Sequence, residues 1–239
     1  MLIKRLARLL VLIISAVAVP VATTLPAQAI VGGTVATFGP WAVRLYEDGV
    51  PTCTGAVVAP QWVITAAHCV RFDNTDIRLR VGHLDQRLGR EIKRIPGRTY
   101  FTPAADVALV KIPRVKVKPL PIATTSVRVG AVMTVQGWGA TCEPDESSCQ
   151  SDLLRQATVR VIDHADPRCD LLAGTADYCA EKKSGLPVGG DSGAPAITRT
   201  SKKTVLTGVF TASDRDRTVA IADAAQLRGW ITQTIGRTR

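Results

Sequence analysis

The sequence lacks the features that mark several common classes of protein. It holds only three histidines and no CxxC pair, so no set of residues is spaced as a zinc site requires. After residue 29, no apolar run reaches the roughly 20 residues that a transmembrane helix needs. Helix-turn-helix, RNP-type and zinc-finger patterns are absent, as are repeats and low-complexity tracts. We therefore expect no metal, no cofactor and no nucleic-acid partner.

The first 29 residues have the three parts of a secretory signal peptide. A positive head is followed by an apolar run, 9–19, and by a small-residue segment that ends in Ala27-Gln28-Ala29. We predict that 1–29 is removed and that the mature chain begins at Ile30. Two alternatives stay open, an uncleaved N-terminal anchor and an earlier cut near Ala22. The basic residues of the head are Lys4, Arg5 and Arg8.

Charge and cysteine content fit an exported protein. The net charge of +10 falls to +7 once the three basic residues of the head are removed. Between Arg71 and Arg98, basic residues alternate with acidic ones, which is typical of a solvated face. All six cysteines follow residue 29, and an even number in an exported chain indicates disulfide bonds, with metal binding as the alternative. No membrane contact is expected after cleavage.

Short apolar runs recur along the mature chain between turns rich in Gly, Pro, Asp and Asn. Many short strands at this spacing predict an all-β sandwich or barrel. The proline-rich stretch Pro113–Pro121 is the predicted crossover between two halves. One segment, 223–236, instead has a helical period, with Asp223 as its predicted N-cap. Its recurring apolar residues are Ala224, Leu227, Ile231 and Ile235.

Three short segments carry residues that could do chemistry. They are TAAHC with His68, DVAL with Asp106, and GDSGAP with Ser192. A serine hydroxyl is a poor nucleophile until a base takes its proton, and the base needs a third group to fix its tautomer. Each segment alone has a plain structural explanation. Their joint occurrence on an exported, β-rich chain indicates nucleophilic catalysis by a serine.

These segments make the chain similar to the trypsin/chymotrypsin-like serine proteases over residues 30–239. The resemblance implies an all-β fold of two six-stranded antiparallel Greek-key β-barrels, about 30–120 and about 121–222, with a C-terminal α-helix at about 223–236. The GDSGAP segment and the alanine- and arginine-rich chain suggest a bacterial secreted member. The other residues that carry the resemblance are Ile30-Val31-Gly32-Gly33, Gly137-Trp138-Gly139 and Trp230.

The resemblance also implies a role for each residue of the three segments. Ser192 would be the nucleophile, His68 the general base and then acid, and Asp106 the carboxylate that orients the base. Backbone N–H groups of Gly190 and Ser192 would form the oxyanion hole. In this family the free amine of the mature N-terminus pairs with the acid before the serine, which implies an Ile30–Asp191 ion pair.

Substrate preference is inferred from the residues that would line the pocket. Trypsin-like cleavage after Arg or Lys needs a carboxylate six residues before the nucleophile, and Leu186 stands there. We therefore predict small or medium apolar residues at the cleaved position, unless Asp214 or Asp216 reaches the pocket. The other pocket residues that the resemblance implies are Thr211, Ser213 and Val219.

The resemblance pairs the cysteines as well. Cys53 would bond to Cys69 and Cys169 to Cys179, which leaves Cys142 and Cys149 for each other. We conclude that the sequence predicts a secreted, extracellular, monomeric serine endopeptidase acting on protein or peptide substrates. A catalytically weak relative that serves as a binding module is the alternative, and ester hydrolysis would use the same acyl-enzyme.

Overall fold

The computed structural model describes residues 30–72, 74–142, 145–172, 178–201 and 203–237; the predicted signal segment 1–29 lies outside the described residues. Strands dominate this part of the chain and form two antiparallel sheets. The first strand, β1 (Thr34–Val35), belongs to the second of these sheets. The all-β class predicted from the sequence is confirmed.

The first sheet curls into a barrel made of seven consecutive strands. After the fifth of these strands the chain turns back toward the last strand. There the Ile95 N–H donates to the Lys111 carbonyl at 2.9 Å, which joins the two edges of the sheet. Side chains that alternate along the strands, such as Val43 and Leu45, fill the interior. The strands are β2 (Ala42–Glu47), β3 (Val50–Ala59), β4 (Trp62–Ala66), β5 (Ile77–Val81), β6 (Arg90–Lys93), β7 (Thr99–Phe101) and β8 (Val107–Lys111). Their spatial order is β6-β5-β2-β3-β4-β8-β7.

The second sheet is a closed barrel of six strands to which β1 adds a seventh. These strands are β9 (Val132–Gly137), β10 (Arg155–Val161), β11 (Tyr178–Ser184), β12 (Pro195–Arg199), β13 (Thr204–Ser213) and β14 (Thr218–Asp223). They follow the order β10-β11-β14-β13-β12-β9, and β9 pairs back with β10. Because β1 pairs with the start of β10, the first described residues join the second barrel rather than the first.

The crossover and the C-terminal helix follow the predicted order along the chain, with one shifted boundary. The stretch Pro113–Pro121 contacts both barrels, since the Leu120 N–H donates to the Val57 carbonyl and the Pro121 carbonyl accepts from Leu206. Helix α1 begins later than predicted and spans Arg228–Arg237. Asp223 still ends β14, and its side chain accepts the Ala225 N–H at 2.8 Å in the turn before the helix.

A shared core holds the two barrels and α1 together. It includes buried residues from both barrels and from the helix, among them Trp41, Trp138, Ile197, Leu206 and Ile231. Loops that carry the three candidate segments meet at the junction that this core supports. Within the described ranges, no helix has both the length and the apolar character to cross a membrane.

Candidate active site

The first part of the site is a pair formed by His68 and Asp106. Strand β4 ends at Ala66 and runs into a short 3-10 turn, Ala67–Cys69, which presents the His68 side chain. Asp106 directly precedes β8, and β8 pairs with β4 so that Val107 lies opposite Ala66. Strand pairing therefore brings together two residues that are 38 positions apart in the sequence.

Two hydrogen bonds fix the geometry of this pair. Nδ1 of His68 lies 2.5 Å from Oδ2 of Asp106, and the His68 backbone N–H donates to Oδ1 of the same carboxylate at 3.0 Å. Burial alone would raise the pKa of Asp106, but the hydrogen bonds and charge of His68 outweigh it, so that the pKa lies below its usual value. A carboxylate on Nδ1 leaves Nε2 as the nitrogen available to a third group.

Ser192 lies in a tight turn that backbone hydrogen bonds tie to both barrels. Its carbonyl accepts the Thr54 N–H at 2.9 Å, and the Gly193 N–H donates to the Phe210 carbonyl at 2.8 Å. Sγ of Cys69 lies 3.7 Å from the Ser192 carbonyl oxygen, so the turn rests against the segment that carries His68. The structure thus brings all three predicted residues to one place at the barrel junction.

Hydrogen bonds to the Gly189 carbonyl set the orientation of the peptide between Gly189 and Gly190. The Gly189 carbonyl accepts from the Ala140 N–H at 2.8 Å and from Nε2 of Gln150 at 3.1 Å. In a trans peptide the C=O and N–H groups point in opposite directions. With the Gly189 carbonyl held by Ala140 and Gln150, the Gly190 N–H therefore points away from those two residues. Gly190 has φ +90°. A side chain at this position would be strained.

Asp191 is a fully buried acid beneath the turn. Its carboxylate accepts the Gly139 N–H at 2.7 Å and the Val188 N–H at 3.0 Å. Burial raises the pKa of Asp191 to about 7, against the effect of those two hydrogen bonds and of the positive charge on Arg44. Asp191 is therefore a poorly solvated acid, and it directly precedes the candidate nucleophile in the sequence.

The first residues of the predicted mature chain are inserted into the second barrel. Ile30 is 0% exposed, and Val31 forms an antiparallel bridge with Leu186 in which the Leu186 N–H donates to the Val31 carbonyl at 2.9 Å. Leu186 is two residues before Val188, which donates to Asp191. Insertion of this segment therefore supports the loop that leads to the Ser192 turn.

A cavity of about 170 Å³ opens beside Ser192. Two of the predicted pocket residues, Thr211 and Ser213, line it. Leu186 and Val219 do not; they are 3% and 0% exposed and pack in the interior of the second barrel. The remaining lining residues are Val188, Gly189, Phe210, Ala212 and Arg215.

Neither Asp214 nor Asp216 lines that cavity. The Asp214 carboxylate is directed into its own loop, where it accepts the N–H groups of Asp216, Arg217 and Thr218 at 2.8–2.9 Å. The one charged lining residue is instead Arg215, whose guanidinium pairs with Glu146 at 2.9 Å. No carboxylate is among the lining residues that the structure describes, and the charge of Arg215 is paired with Glu146, whose carboxylate lies against Gly189.

The six cysteines form three disulfides with the predicted pairing. The bonds join Cys53 to Cys69, Cys142 to Cys149, and Cys169 to Cys179. Cys53, His68 and Cys69 lie close enough to suggest a metal site. Both sulfurs are already joined to each other, so the thiolate ligands that such a site requires are not present.

Sequence reasoning missed three polar residues of the site. Arg44 is 0% exposed and donates to the Gly190 carbonyl, Gln150 holds the Gly189 carbonyl, and Glu146 pairs with Arg215. Arg44 was not recognised because it occurs in a strand with no motif around it. The available signal was an arginine set between two apolar residues, Val43 and Leu45, of a predicted strand.

Comparisons with known proteins agree with the fold. A family model described as Trypsin matches residues 30–231. Brachyurin of Leptuca pugilator is 30% identical over 194 residues, covering 70% of this chain and 80% of that protein. Trypsin iota of Drosophila melanogaster is 25% identical over 214 residues, covering 81% and 82%. The structure of neuropsin, a serine protease expressed in mouse brain, has a TM-score of 0.73 at 21% identity, covering 86% of this chain and 99% of its own.

These relatives correct one prediction from the sequence. The chain was expected to resemble bacterial secreted members, whereas the relatives named here are animal proteins. The expectation rested on the GDSGAP segment with Ala194, on the predicted signal peptide and on alanine and arginine content, and exposed positions of a fold restrict composition only weakly. The family model spans nearly all of the described residues, and the two-barrel fold accompanies it. This chain belongs to the trypsin family of serine proteases.

Proposed function

We propose that this protein is a secreted serine endopeptidase in which Ser192, His68 and Asp106 form the catalytic triad. The observation that carries the proposal is the His68–Asp106 pair, with Nδ1 and Oδ2 2.5 Å apart, set against the turn that holds Ser192. Such a pair fixes the imidazole with Nε2 toward the serine and stabilises the imidazolium that forms when the serine loses its proton.

The proposed reaction proceeds in two stages through an acyl-enzyme. In the first stage Oγ of Ser192 attacks the peptide carbonyl while His68 accepts its proton and then gives it to the leaving amine. The N–H groups of Gly190 and Ser192 bind the oxyanion that develops. In the second stage water repeats the attack on the ester with His68 again as base, and free Ser192 is regenerated.

A binding module that has lost catalysis is the alternative, and a serine-directed covalent probe separates the two functions. We expect a fluorophosphonate to add one equivalent to the wild-type protein, with the mass increase on the peptide containing Ser192. Ser192→Ala should abolish the labelling, whereas Ser201→Ala, which changes an exposed serine in another turn, should not. An unlabelled wild-type protein would support the binding module.

We further propose that the enzyme prefers small or medium apolar residues at the cleaved position. The support is the cavity of about 170 Å³ with Val188, Phe210 and Ala212 in its walls and the positive Arg215 at its edge. A substrate Arg or Lys would find no carboxylate among the described lining residues, and the nearby carboxylate of Glu146 is already paired with Arg215. On a matched peptide panel, we expect kcat/KM for Ala, Val or Leu to exceed that for Arg by about 10-fold or more. A preference for Arg would contradict the proposed specificity.

Activation is proposed to follow directly from signal-peptide cleavage between Ala29 and Ile30. Ile30 is already buried and Val31 already paired with Leu186, the arrangement from which a new amine could reach buried Asp191. A positive charge beside Asp191 would lower its raised pKa. Peptide mapping of the labelled, secreted protein also reads its first residue. We expect Ile30; an active form that begins near Ala22 would overturn this proposal.

A further inference from the structure

Arg44 is a buried arginine that no catalytic motif explains. It lies in β2 between Val43 and Leu45, whose side chains face the interior of the first barrel. Because side chains alternate along a strand, Arg44 faces the opposite way, toward the second barrel. Its side chain is 0% exposed, and burial lowers the pKa of Arg44 to about 10. A buried guanidinium needs good hydrogen-bond partners to be tolerated.

Those partners belong to the loop that carries the proposed oxyanion hole. Nη1 of Arg44 donates to the Gly190 carbonyl at 2.8 Å and Nη2 donates to Oε1 of Gln150 at 2.6 Å. A third, longer bond of 3.3 Å reaches the Cys53 carbonyl within the first barrel. The guanidinium therefore joins the two barrels through a residue 146 positions away in the sequence.

Gln150 extends this contact to the preceding peptide. With Oε1 held by Arg44, Nε2 is directed to the carbonyl groups of Glu146, at 2.6 Å, and Gly189, at 3.1 Å. The amide group also packs directly on Gly190, since a Cβ added there would lie 2.0 Å from Oε1 of Gln150. Arg44 and Gln150 together hold two consecutive carbonyl groups, those of Gly189 and Gly190.

Rotation of the 189–190 peptide would exchange its C=O and N–H directions. The carbonyl would then occupy the place where an oxyanion has to bind, and the N–H donor would be lost. Rotation requires the Gly189 carbonyl to leave Gln150 and Ala140. On the other side of the same glycine, whose φ is +90°, the Gly190 carbonyl accepts from Nη1 of Arg44 at 2.8 Å and from Oγ1 of Thr54 at 2.9 Å. The guanidinium is thus one of two groups that hold this carbonyl.

We propose that Arg44, acting through Gln150, is a positioning residue that holds the Gly190 N–H in the oxyanion hole. The inference rests on the proposed function and adds to it a residue from the other barrel. Arg44 touches no reacting atom, so its loss should weaken stabilisation of the transition state while substrate binding stays nearly unchanged. That separation distinguishes it from a residue needed only for folding.

Gln150→Glu is the sharpest test because it keeps the shape of the side chain. A carboxylate still accepts from Arg44, but it has no N–H to give to the Gly189 carbonyl and repels that oxygen. We expect kcat to fall about 10-fold or more, KM to change less than about 3-fold, and the affinity for a peptide boronic acid, which forms a tetrahedral adduct, to fall in parallel with kcat.

Arg44→Met removes the guanidinium and should lower kcat by about 10²-fold. Arg44→Lys should recover part of this loss, because an ammonium can reach either the Gly190 carbonyl or Oε1 of Gln150, but not both. The control is Arg94→Met, which removes another buried arginine; its carbonyl partners include Val70, Phe72 and Thr75, all outside the loop. It should lower stability without changing the ratio of boronate to substrate affinity. If Arg44→Met does not fold, Gln150→Glu alone decides.

An active wild-type protein whose kcat and boronate affinity are unchanged by Gln150→Glu would overturn the positioning role and leave the proposed function intact. A wild-type protein that neither cleaves peptides nor reacts with the fluorophosphonate would overturn the proposed function itself.

Discussion

Replacing Asp106 by asparagine is expected to lower kcat about 10⁴-fold, the loss that the family's Ser-His-Asp template shows for this change. The substitution keeps the size of the side chain. It nevertheless removes the charge that stabilises the imidazolium, and the amide can donate to Nδ1 and so favour the wrong tautomer of His68. Asp106 is responsible for both the charge and the tautomer of His68, because the ring Nδ1 and the backbone nitrogen of His68 lie 2.5 and 3.0 Å from its carboxylate oxygens.

Steady-state kinetics on an apolar peptide substrate measure the effect. Asp152→Asn is the matched control, since that carboxylate is 53% exposed and pairs with Arg87 at the surface. It should leave kcat within about 2-fold of the wild-type value, because an exposed ion pair contributes only about 0–1 kcal/mol. Equal activities of the two asparagine variants would contradict the role proposed for Asp106.

A second large effect is expected on stability when Gly193, the residue after Ser192, is replaced by alanine. A Cβ there would lie 2.1 Å from Oγ1 of Thr65, 2.3 Å from the Thr54 carbonyl oxygen and 2.7 Å from the Ala66 backbone nitrogen. Two of these are backbone atoms of β3 and β4 and cannot move alone. We expect the free energy of unfolding to fall by more than about 4 kcal/mol, with loss of activity.

Gly130→Ala separates this clash from backbone strain. Gly130 has φ +88°, close to the +83° of Gly193, but an added Cβ meets no atom within 4 Å. Its substitution should cost only the about 1–2 kcal/mol of left-handed strain. Denaturant unfolding of both variants measures the difference. Similar losses of stability in the two would show that Gly193 is retained for its conformation and not for the space beside it.

Local motifs in the sequence predicted candidate site residues. Residues whose role depends on contacts between distant parts of the chain were not predicted. His68 and Asp106 were predicted from the TAAHC and DVAL segments and from the family resemblance, and the β4–β8 pairing brings the two side chains together. Arg44 could not be found because its partners Gln150 and Gly190 lie 106 and 146 residues away. A strand arginine is otherwise read as an exposed one.

The pocket shows a different limit of sequence reasoning. Thr211 and Ser213 were placed at the cavity, whereas Val219 was expected there and lies inside the barrel. The register between β13 and β14 shifts between Phe210 and Ala212. Such a bulge re-aims the side chains that follow it, and a count of residues along the chain does not reveal it. Arg215, in the loop that follows β13, also lines the cavity and was not predicted.

The contacts of the Ser192 turn join residues that are far apart in the sequence, and this separation affects when the proposed site can form during folding. The Ser192 turn is joined to Thr54 and Arg44 across 136 and 146 residues, and closing such loops carries a large entropic cost that only late contacts repay. In a chain that emerges N-terminus first, the strands of the first barrel, β2 to β8, precede the Ser192 turn. Because its contacts come from both barrels, the proposed site becomes complete only when the second barrel has folded against the first, and the enzyme proposed above would be inactive until then.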